Sequence, residues 1–479
     1  MKTISAILAA LCTAARAEVT EWTLSETMSA SYDSASQTLS VSGTGDMPHW
    51  KSDGDVPWAA VRPKMTHIAL SEGVTCIGNR AFYGCPGVSE ITLPNSVTNV
   101  GTESFAYCHG LREVTVPPNV RNIHMLSFRS CNGLAKVAVD PGNETYASAD
   151  GLLLNKALTE LLHCPCGKTG QLSVPDAVTN IGYYACAECR LLTSVRLPAG
   201  VRGISVHAFD DCPSVASFEV APGNPAYSSE DGILYNADGT AIVRFPPARD
   251  GTFAIPQGVL EIVNNTFYGC SRLTAVIIPE GVGKIGVESF RGCISLTEIR
   301  FPDSTSQIAD YAFWGCSGIT SITIPRNVER IGKETFVSCS GLHRAILWGC
   351  NPQIGDDAFK GCAKDFRLVR IPFLTRSEAE EAEAVTTVAA GGHEMSVDEY
   401  NIERELLGLP PTRVAASVVL APADAAGIEV RNDKATVEVT VEMSKTLEEP
   451  DWRPVGSTTV ELNLPNVGTG FIRLMTKGN

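Results

Sequence analysis

The stretch AFWGCSGITSITIPRNVERIGKETFVSC, from Ala312 to Cys339, begins and ends with the same short phrase, a phenylalanine followed three residues later by a cysteine. The two phenylalanines, Phe313 and Phe336, are 23 residues apart. A fixed interval of this length is typical of a repeat architecture, in which each repeat is one supersecondary unit. The phrase therefore predicts a stack of similar coils.

The phrase recurs along most of the chain. Successive copies are 23, 23, 58, 23, 58, 23, 23, 23 and 23 residues apart, so two copies carry an insertion of 35 residues. One copy has Cys186 in the phenylalanine position and Cys189 in the cysteine position. The other nine pairs are Phe82 and Cys85, Phe105 and Cys108, Phe128 and Cys131, Phe209 and Cys212, Phe267 and Cys270, Phe290 and Cys293, Phe313 and Cys316, Phe336 and Cys339, and Phe359 and Cys362.

The apolar residues within one unit change their spacing part of the way along. Counting from the phenylalanine as position 0, positions +9 and +11 are apolar, as in Ile322 and Ile324, and this alternation predicts a strand. A proline at +12, such as Pro325, ends the strand because it has no N–H for the next rung. Later apolar positions come every three or four residues and favour a short helical or 3₁₀ return. Since so short a unit cannot bury its apolar face alone, we predict a solenoid with a parallel sheet on one face.

The units resemble the BspA-type leucine-rich repeats of secreted bacterial proteins. IGNRAFYGCPGVSEITLP, from Ile77 to Pro94, is similar to their pattern I-G-x-x-A-F-x-x-C-x-x-L-x-x-[IV]-x-[IL]-P, and the resemblance covers about residues 66–372. Cys186 in place of Phe, and His124 in place of Gly at +19, depart from it. The resemblance implies a leucine-rich-repeat solenoid with a role in interaction or adhesion at a bacterial cell surface.

The domain organisation follows from this array. We predict a capping segment over 18–65, in which Trp50 and Trp58 cover the first coil, although these rings could also stack on a sugar. The solenoid is expected over 66–373, and its insertions, about 140–174 and 221–255, each as a β-hairpin projecting from the stack. In the second insertion Asp238-Gly239 lies between two apolar runs, which indicates a hairpin turn.

The two ends of the chain have a different composition. Residues 1–17, with Lys2 and an apolar run before Ala15-Arg16-Ala17, predict a signal peptide, and hence a secreted or cell-surface protein. We expect a helical linker over 374–412, because Ser377 with Glu380 and Ser396 with Glu399 form capping boxes. Short β-like runs then predict a small β-sandwich-like module over 413–479. No later segment is apolar enough to span a membrane.

Charge restricts the partners. The formal net charge is −15, and it becomes −17 without the two cations of residues 1–17. An acidic chain without a basic run repels nucleic acid, so we expect none as a partner. The expected partner is an extracellular protein or a glycan.

The 16 cysteines raise the question of disulfides, which are common in secreted proteins. Corresponding residues of stacked coils point in the same direction, and parallel Cβ vectors oppose a disulfide between rungs. We therefore predict free, buried thiols that pack as small apolar groups, and expect Cys316→Ser to leave an unpaired hydroxyl in the core. Two alternatives stay open, a disulfide of Cys166 and a zinc site in the group His163, Cys164, Cys166, Cys186 and Cys189. Cys76 and Cys350 do not occupy the cysteine position of the repeat.

No catalytic constellation is evident, and we expect neither an enzyme nor a metal or cofactor. There is no phosphate-binding glycine loop, no H-E-x-x-H and no G-x-S-x-G, and the eight histidines share no spacing. Positions +8 and +10 should face outward from the sheet and form a binding face, with Ile277 and Ile346 as exposed apolar residues that flank a polar stretch. The predicted binding residues are Glu90, Thr92, Glu113, Thr115, Arg196, Glu219, Ile277, Glu298, Arg300, Thr323, Arg344 and Ile346.

The sequence thus predicts a secreted or cell-surface interaction protein. Two alternatives remain open, a structural envelope or matrix component that self-associates and a targeting subunit of an extracellular enzyme.

Overall fold

The computed structural model describes residues 18–348, 351–371, 388–390, 393–395, 429–431, 434–443 and 453–463. The chain forms two compact units, Met1–Val369 and Arg370–Asn479. The predicted signal peptide and Cys350 lie outside the described residues.

The first strands form an antiparallel meander that leads into the repeats. They are β1 (Val19–Ser25), β2 (Met28–Asp33) and β3 (Thr38–Gly43). The two-residue β4 (Gly45–Asp46) pairs in parallel with the later strand Val74–Ile77, and 3₁₀ turns follow over Asp53–Asp55 and Ala59–Lys64. The Trp58 ring is fully buried and lies on Phe82 at 6.0 Å, and its Nε1 donates to the Ala81 carbonyl at 2.8 Å. The apolar end of the first coil is therefore covered by an aromatic side chain, as a solenoid requires.

Each regular coil contains two strands, called here the front strand and the back strand. In the first block these alternate as β5 (His67–Leu70), β6 (Val74–Ile77), β7 (Glu90–Thr92), β8 (Asn99–Val100), β9 (Glu113–Val116), β10 (Asn122–Ile123) and β11 (Lys136–Val139). The front strands β7, β9 and β11 pair in parallel, and so do the back strands β6, β8 and β10.

The returns differ from the helical or 3₁₀ returns predicted from the spacing. The apolar residue at +18, such as Val100, lies in a two-residue back strand. The chain around the phenylalanine is a series of single turns, closed by bonds such as Tyr83 N–H to the Arg80 carbonyl at 3.1 Å. Spacing alone could not separate these possibilities, because a turn followed by a short strand also brings apolar residues inward every three or four positions.

The two insertions form hairpins, as predicted, but they do not project from the stack. The first contains β12 (Tyr146–Ala149), β13 (Leu152–Asn155) and β14 (Glu160–His163), which pair antiparallel in that order. Leu152, Leu154 and Leu161 are fully buried. Because a strand with this much apolar surface is more stable inside the stack, each insertion supplies an additional coil.

The middle block lies between the insertions, and its strands are β15 (Gly170–Ser173), β16 (Asn180–Ile181), β17 (Leu192–Leu197), β18 (Gly203–Ile204) and β19 (Ser217–Val220). Strand β14 pairs in parallel with β16, so the inserted segment occupies a back-strand place. The second insertion repeats this arrangement with β20 (Tyr227–Glu230), β21 (Ile233–Asn236) and β22 (Ala241–Arg244).

The last block is the longest regular array. Its strands are β23 (Gly251–Ala254), β24 (Glu261–Ile262), β25 (Leu273–Ile277), β26 (Lys284–Ile285), β27 (Glu298–Arg300), β28 (Gln307–Ile308), β29 (Ser321–Ile324), β30 (Arg330–Ile331), β31 (Arg344–Trp348), β32 (Gln353–Ile354) and β33 (Arg367–Ile371). Among the described residues, the buried apolar side chains form three clusters, which correspond to the three blocks.

Two columns of side chains fill the core. The phenylalanine rings stack face to face in the last block, with centroids 4.9 Å apart for Phe290 and Phe313 and an interplanar angle of 5°. In six of the regular coils the cysteine thiol donates to the carbonyl of the phenylalanine in the preceding coil, as Cys316 Sγ does to Phe290 at 3.0 Å. The cysteines of the described residues are free thiols, as predicted, and all but the half-buried Cys362 are buried.

Farther along the chain the described residues are strands. These are β34 (Val388–Ala390) and β35 (His393–Met395), which pair antiparallel, and β36 (Glu429–Arg431), β37 (Lys434–Met443) and β38 (Arg453–Asn463), which form an antiparallel sheet. The β34–β35 hairpin lies within the predicted helical linker, whereas the segments that follow its two capping boxes are outside the described residues.

Candidate functional site

The outward side chains of the front strands are the binding residues predicted from the sequence. The parallel register places Glu113 between Glu90 and Lys136, and the Lys136 ammonium lies 2.6 Å from the Glu113 carboxylate. Thr323 and Arg344 are half-buried. The exposed members are Glu90, Thr92, Glu113, Thr115, Arg196, Glu219, Ile277, Glu298 and Arg300.

Ile346 was predicted to be exposed, and this is wrong. Its side chain is 3% exposed, whereas Ile277 is 56% exposed. Ala345 and Leu347 of β31 are buried, and so are Ile346 and Trp348, which alternate with them. The prediction assumed that the outer side of every front strand meets solvent, and β31 is buried on both sides.

The predicted binding residues also do not share one sheet. The front strands form separate sheets, β7–β9–β11, β15–β17–β19, β23–β25–β27 and β29–β31–β33. The third sheet brings Ile277 beside Arg300, whose guanidinium contacts the Glu298 carboxylate at 3.2 Å. The sequence predicted a polar stretch with an exposed isoleucine at each end. The structure has only one of these exposed isoleucines, and the predicted contact surface is reduced to a patch around Ile277.

The turns around each phenylalanine form one edge of the solenoid, called here the coil edge. Outside the insertions, the backbone hydrogen bonds at this edge follow a regular pattern. In the last block three backbone N–H groups of each coil donate to the next coil; Glu288, Phe290 and Gly292, for example, donate to the coil of Phe313. At the inserted coils, the described backbone bonds at this edge are one from Cys164 to Ala185 and one from Phe245 to Thr266. The inserted coils are therefore narrower here, and side chains of the neighbouring coils fill part of the space.

A cavity of about 280 Å³ opens at this edge in the middle block. We call it the edge pocket, and its walls include Arg129, His163, Tyr184, Glu188, Tyr268 and Glu288. His163 belongs to the first insertion, and the other residues come from the coils on both sides of the two insertions. A second cavity of about 260 Å³ shares the side chains of Asp211, Tyr268 and Arg291 with it.

Ion pairs link the coils across the insertions. Arg129 Nε donates to Glu188 at 2.8 Å, and the hydroxyl of Ser130 donates to the same carboxylate. Asp210, which is 4% exposed, accepts from Arg244 Nη1 at 3.2 Å and contacts His207 Nδ1 at 2.6 Å. Buried charges need such partners, because an unpaired one is costly in the interior.

Arg244 is the most deeply embedded of these cations. Its Nη2 donates to the Phe209 carbonyl at 2.9 Å and its Nη1 to the Asn265 carbonyl at 2.7 Å, besides the bond to Asp210. These contacts replace the backbone bonds that a regular coil would supply. The network thus holds the coil of Phe209 to the coil of Phe267 across the second insertion.

Several groups of the edge pocket are uncharged at neutral pH. Burial lowers the pKa of His163 to about 4, so its imidazole is neutral. Burial also raises the pKa of Tyr184 and of Tyr268 to about 12. His163 Nε2 and Glu288 Oε2 are buried atoms without a hydrogen-bond partner in the part of the chain that the structure describes.

The group of His163 and four cysteines was the candidate metal site. Cys164, Cys166, Cys186 and Cys189 are free and buried, and Cys189 Sγ contacts the Cys164 carbonyl at 3.5 Å. Among the described residues, no three His, Cys, Asp or Glu side chains are placed to hold a metal ion. The geometry therefore does not support the zinc interpretation of these cysteines.

Sequence reasoning missed the edge pocket, although position +2 carries a signal. It is Glu188 and Asp211 in the middle block, at φ of 60° and 52°. The other copies have glycine at φ of 68–74° (Gly84, Gly269, Gly292, Gly315 and Gly361) or an uncharged side chain at φ of 55–60° (Tyr107, Ser130 and Ser338). Residues with a side chain rarely adopt this left-handed conformation. Two acids at a position that favours glycine could have been found by aligning the copies.

The fold defines the class of this protein as a parallel β-solenoid built from leucine-rich repeats. In the described residues, no helix is long and apolar enough to cross a membrane. The model of the BspA-type leucine-rich repeat region matches residues 61–149, 159–236 and 252–375, more than half of the chain. The chain therefore belongs to the BspA-type leucine-rich repeat family, which is associated with cell-surface proteins and is typically non-enzymatic.

Several solved structures are similar in fold. A leucine-rich cell surface protein of Faecalibacterium prausnitzii is 24% identical, with a TM-score of 0.49, over 75% of this chain and 96% of its own. The pneumococcal vaccine antigen PcpA is 18% identical, with a TM-score of 0.43, over 74% and 88%. A leucine-rich repeat protein of Eubacterium ventriosum is 18% identical, with a TM-score of 0.38, over 72% and 95%. Comparison with curated proteins gave no match.

Proposed function

We propose that this protein is a secreted or cell-surface interaction protein that binds an extracellular protein or a glycan through the front strands of its solenoid. The observation that carries the proposal is the patch around Ile277. This side chain is 56% exposed on an ordered strand, beside the ion pair of Glu298 and Arg300. An apolar residue with a polar rim on a rigid sheet suits a protein interface.

Export is part of the proposal. Residues 1–17 have the composition of a signal peptide, and the family is associated with cell-surface proteins. The functional part would then consist of the cap over 18–65 and the solenoid over 66–373, followed by the linker and the module over 413–479. Mass spectrometry of the protein recovered outside the cell should give an N-terminus at residue 18, and an intact Met1 would contradict export by this route.

A binding screen tests the main proposal. The purified protein is applied to a glycan array and to a panel of extracellular proteins, together with Ile277→Lys and the matched control Ile294→Lys. Ile294 is 53% exposed but lies outside the front strands, so the control adds the same charge elsewhere. We expect a partner whose binding is lost in Ile277→Lys and kept in the control.

Other outcomes would exclude the proposal. Equal binding by both variants would move the site away from the front strands. If no partner binds, and the protein associates with itself in sedimentation measurements, the structural alternative replaces the interaction function.

A further inference from the structure

We propose that the edge pocket is a second binding site, and that its ligand is a neutral polyhydroxylated molecule, a mono- or disaccharide. This goes beyond the function proposed above, because the walls of the pocket contain none of the predicted front-strand residues. Either site could therefore fail without the other.

The first argument is hydrogen-bonding capacity that the protein does not use. His163 is 6% exposed and lines the pocket, yet its Nε2 has no partner among the described residues. Glu288 Oε2 is likewise buried and unpartnered, although its other oxygen lies 3.1 Å from Arg291. Buried polar atoms are nearly always satisfied, so unsatisfied atoms among the lining residues of one cavity indicate unused capacity for the hydrogen bonds of a ligand.

The second argument concerns charge. Each buried carboxylate of the pocket has a cationic partner: Glu188 pairs with Arg129, Asp210 with Arg244, and Glu288 with Arg291. Asp211 adds one more carboxylate, and burial together with the Asp210 and Glu188 carboxylates raises its pKa. An anionic ligand would meet these carboxylates, and the three that are paired already have a cation. The remaining capacity suits hydroxyl groups, which both donate and accept hydrogen bonds.

The third argument concerns shape and aromatic surface. The Tyr184 ring stacks on His207 at 5.1 Å, and Tyr268 lies under the Arg291 guanidinium at 5.6 Å. Small-molecule sites combine such aromatic walls with a few placed polar groups. The volume of about 280 Å³ is just below the range for drug-sized ligands, which suits a ligand of one or two sugar rings.

The direct test is titration calorimetry of the full-length protein with glucose, galactose, mannose, N-acetylglucosamine and their common disaccharides. Sodium phosphate and methylammonium chloride represent anionic and cationic ligands. We expect at least one saccharide to bind with millimolar or tighter affinity. Glu288→Gln should weaken it by about tenfold, the effect of losing a hydrogen bond to a charged acceptor.

A matched control variant exists in the last block. Glu334 occupies the same position before its phenylalanine as Glu288, has a φ of 52° against 53°, and pairs with Lys333 at 3.2 Å. Glu334→Gln should leave saccharide binding unchanged. Equal affinities for the two variants would overturn the proposal, and so would binding of phosphate or methylammonium in place of any saccharide, or no binding at all.

A second measurement uses the unaltered protein, so it does not depend on the folding of a variant. In protein with ¹⁵N-labelled histidine, the Nε2 resonance of His163 should shift on addition of the saccharide. The exposed His343, which contacts Asp365 at 2.6 Å, should not respond and serves as an internal control. Binding without a shift at His163 would place the sugar elsewhere. Because Ile277→Lys leaves the edge pocket intact, saccharide binding by that variant separates this proposal from the front-strand function.

Discussion

The last block and the middle block of the solenoid contain the same repeat but differ in the contacts that hold neighbouring coils together. In the last block the phenylalanine rings of Phe267, Phe290 and Phe313 stack at 4.7–4.9 Å, and three backbone bonds join each coil edge to the next. In the middle block Cys186 replaces a ring, and side-chain ion pairs join its coils to the neighbouring blocks across the two insertions. Regular repetition therefore pairs the backbone hydrogen-bonding groups along the coil edge, whereas an inserted coil leaves a gap lined by polar side chains that can hold a ligand.

The largest expected effect tests the phenylalanine column of the regular block. Phe313→Ala removes a fully buried ring that contacts the rings on both sides, and it should lower the free energy of unfolding by about 3–5 kcal/mol. Cys186→Ala at the same position of the middle block removes one atom, and should cost about 1 kcal/mol. Urea unfolding, monitored by hydrogen exchange, measures the free energy of unfolding of both variants. Similar losses would show that the two blocks do not differ in this column.

The next effect concerns the ion pairs. Arg244→Met leaves the buried Asp210 carboxylate without its cation, and should cost about 3–5 kcal/mol. The matched variant Arg326→Met removes an ion pair with Asp303 in the last block, which is about 40% exposed on both sides (38% and 42%), and should cost at most about 1 kcal/mol.

The same unfolding measurement compares the two arginine variants, and a double mutant with Asp210→Asn separates two causes. If the unpaired carboxylate accounts for the loss, Asp210→Asn should recover part of the stability in the Arg244→Met background. No recovery would mean that Arg244 acts through its bonds to the Phe209 and Asn265 carbonyls instead.

The difference between the blocks also sets the limit of what the sequence could predict. The stack and the buried cysteines follow from periodicity, and the hairpin pairing follows from the Asp238-Gly239 turn, because each depends on residues close in the chain. The edge pocket depends on contacts between Arg129 and Glu188, 59 residues apart, and these arise only because the inserted coil is narrow. Ile346 was mispredicted for a related reason, since alternation gives the side of a strand and not what covers it.

A pH titration distinguishes the blocks through His163. Its folded pKa of about 4 lies below the ordinary value of 6.5, so the unfolded chain binds a proton that the folded chain does not. Stability is therefore complete above pH 6.5 and falls as the pH falls, by about 2 kcal/mol at pH 5. The Phe128 ring lies 5.8 Å from the His163 ring and Cys164 acts on it electrostatically, while Cys166 and the Arg129–Glu188 pair line the same pocket.

The variant His163→Gln should remove about that much of the pH dependence between pH 7 and pH 5. His343→Gln changes an exposed histidine of the last block, and its unfolding midpoint should follow the wild-type pH dependence. If both variants keep the wild-type pH dependence, His163 is not buried in its neutral form.

The smallest expected effect comes from replacing cysteines of the repeat with serine, and it revises one expectation from the sequence. Cys316 Sγ has an acceptor, the Phe290 carbonyl at 3.0 Å, so a serine hydroxyl there would not be unpaired. Next to the second insertion, Cys270 Sγ lies 4.0 Å from the Phe245 carbonyl, beyond the reach of a hydroxyl. Cys270→Ser should therefore cost about 1–3 kcal/mol as an unsatisfied buried hydroxyl, and Cys316→Ser should cost less.

Alanine at each position gives the control for lost volume, because it removes the sulfur without adding a polar group. The difference between serine and alanine then measures the hydrogen bond alone, from urea midpoints of the four variants. The serine variant should be more stable than the alanine variant at Cys316 and less stable than it at Cys270. Only the regular coil brings a carbonyl within hydrogen-bond range of the hydroxyl. If the two positions respond alike, the cysteine column is a packing device in both blocks and its thiol hydrogen bonds do not contribute to stability.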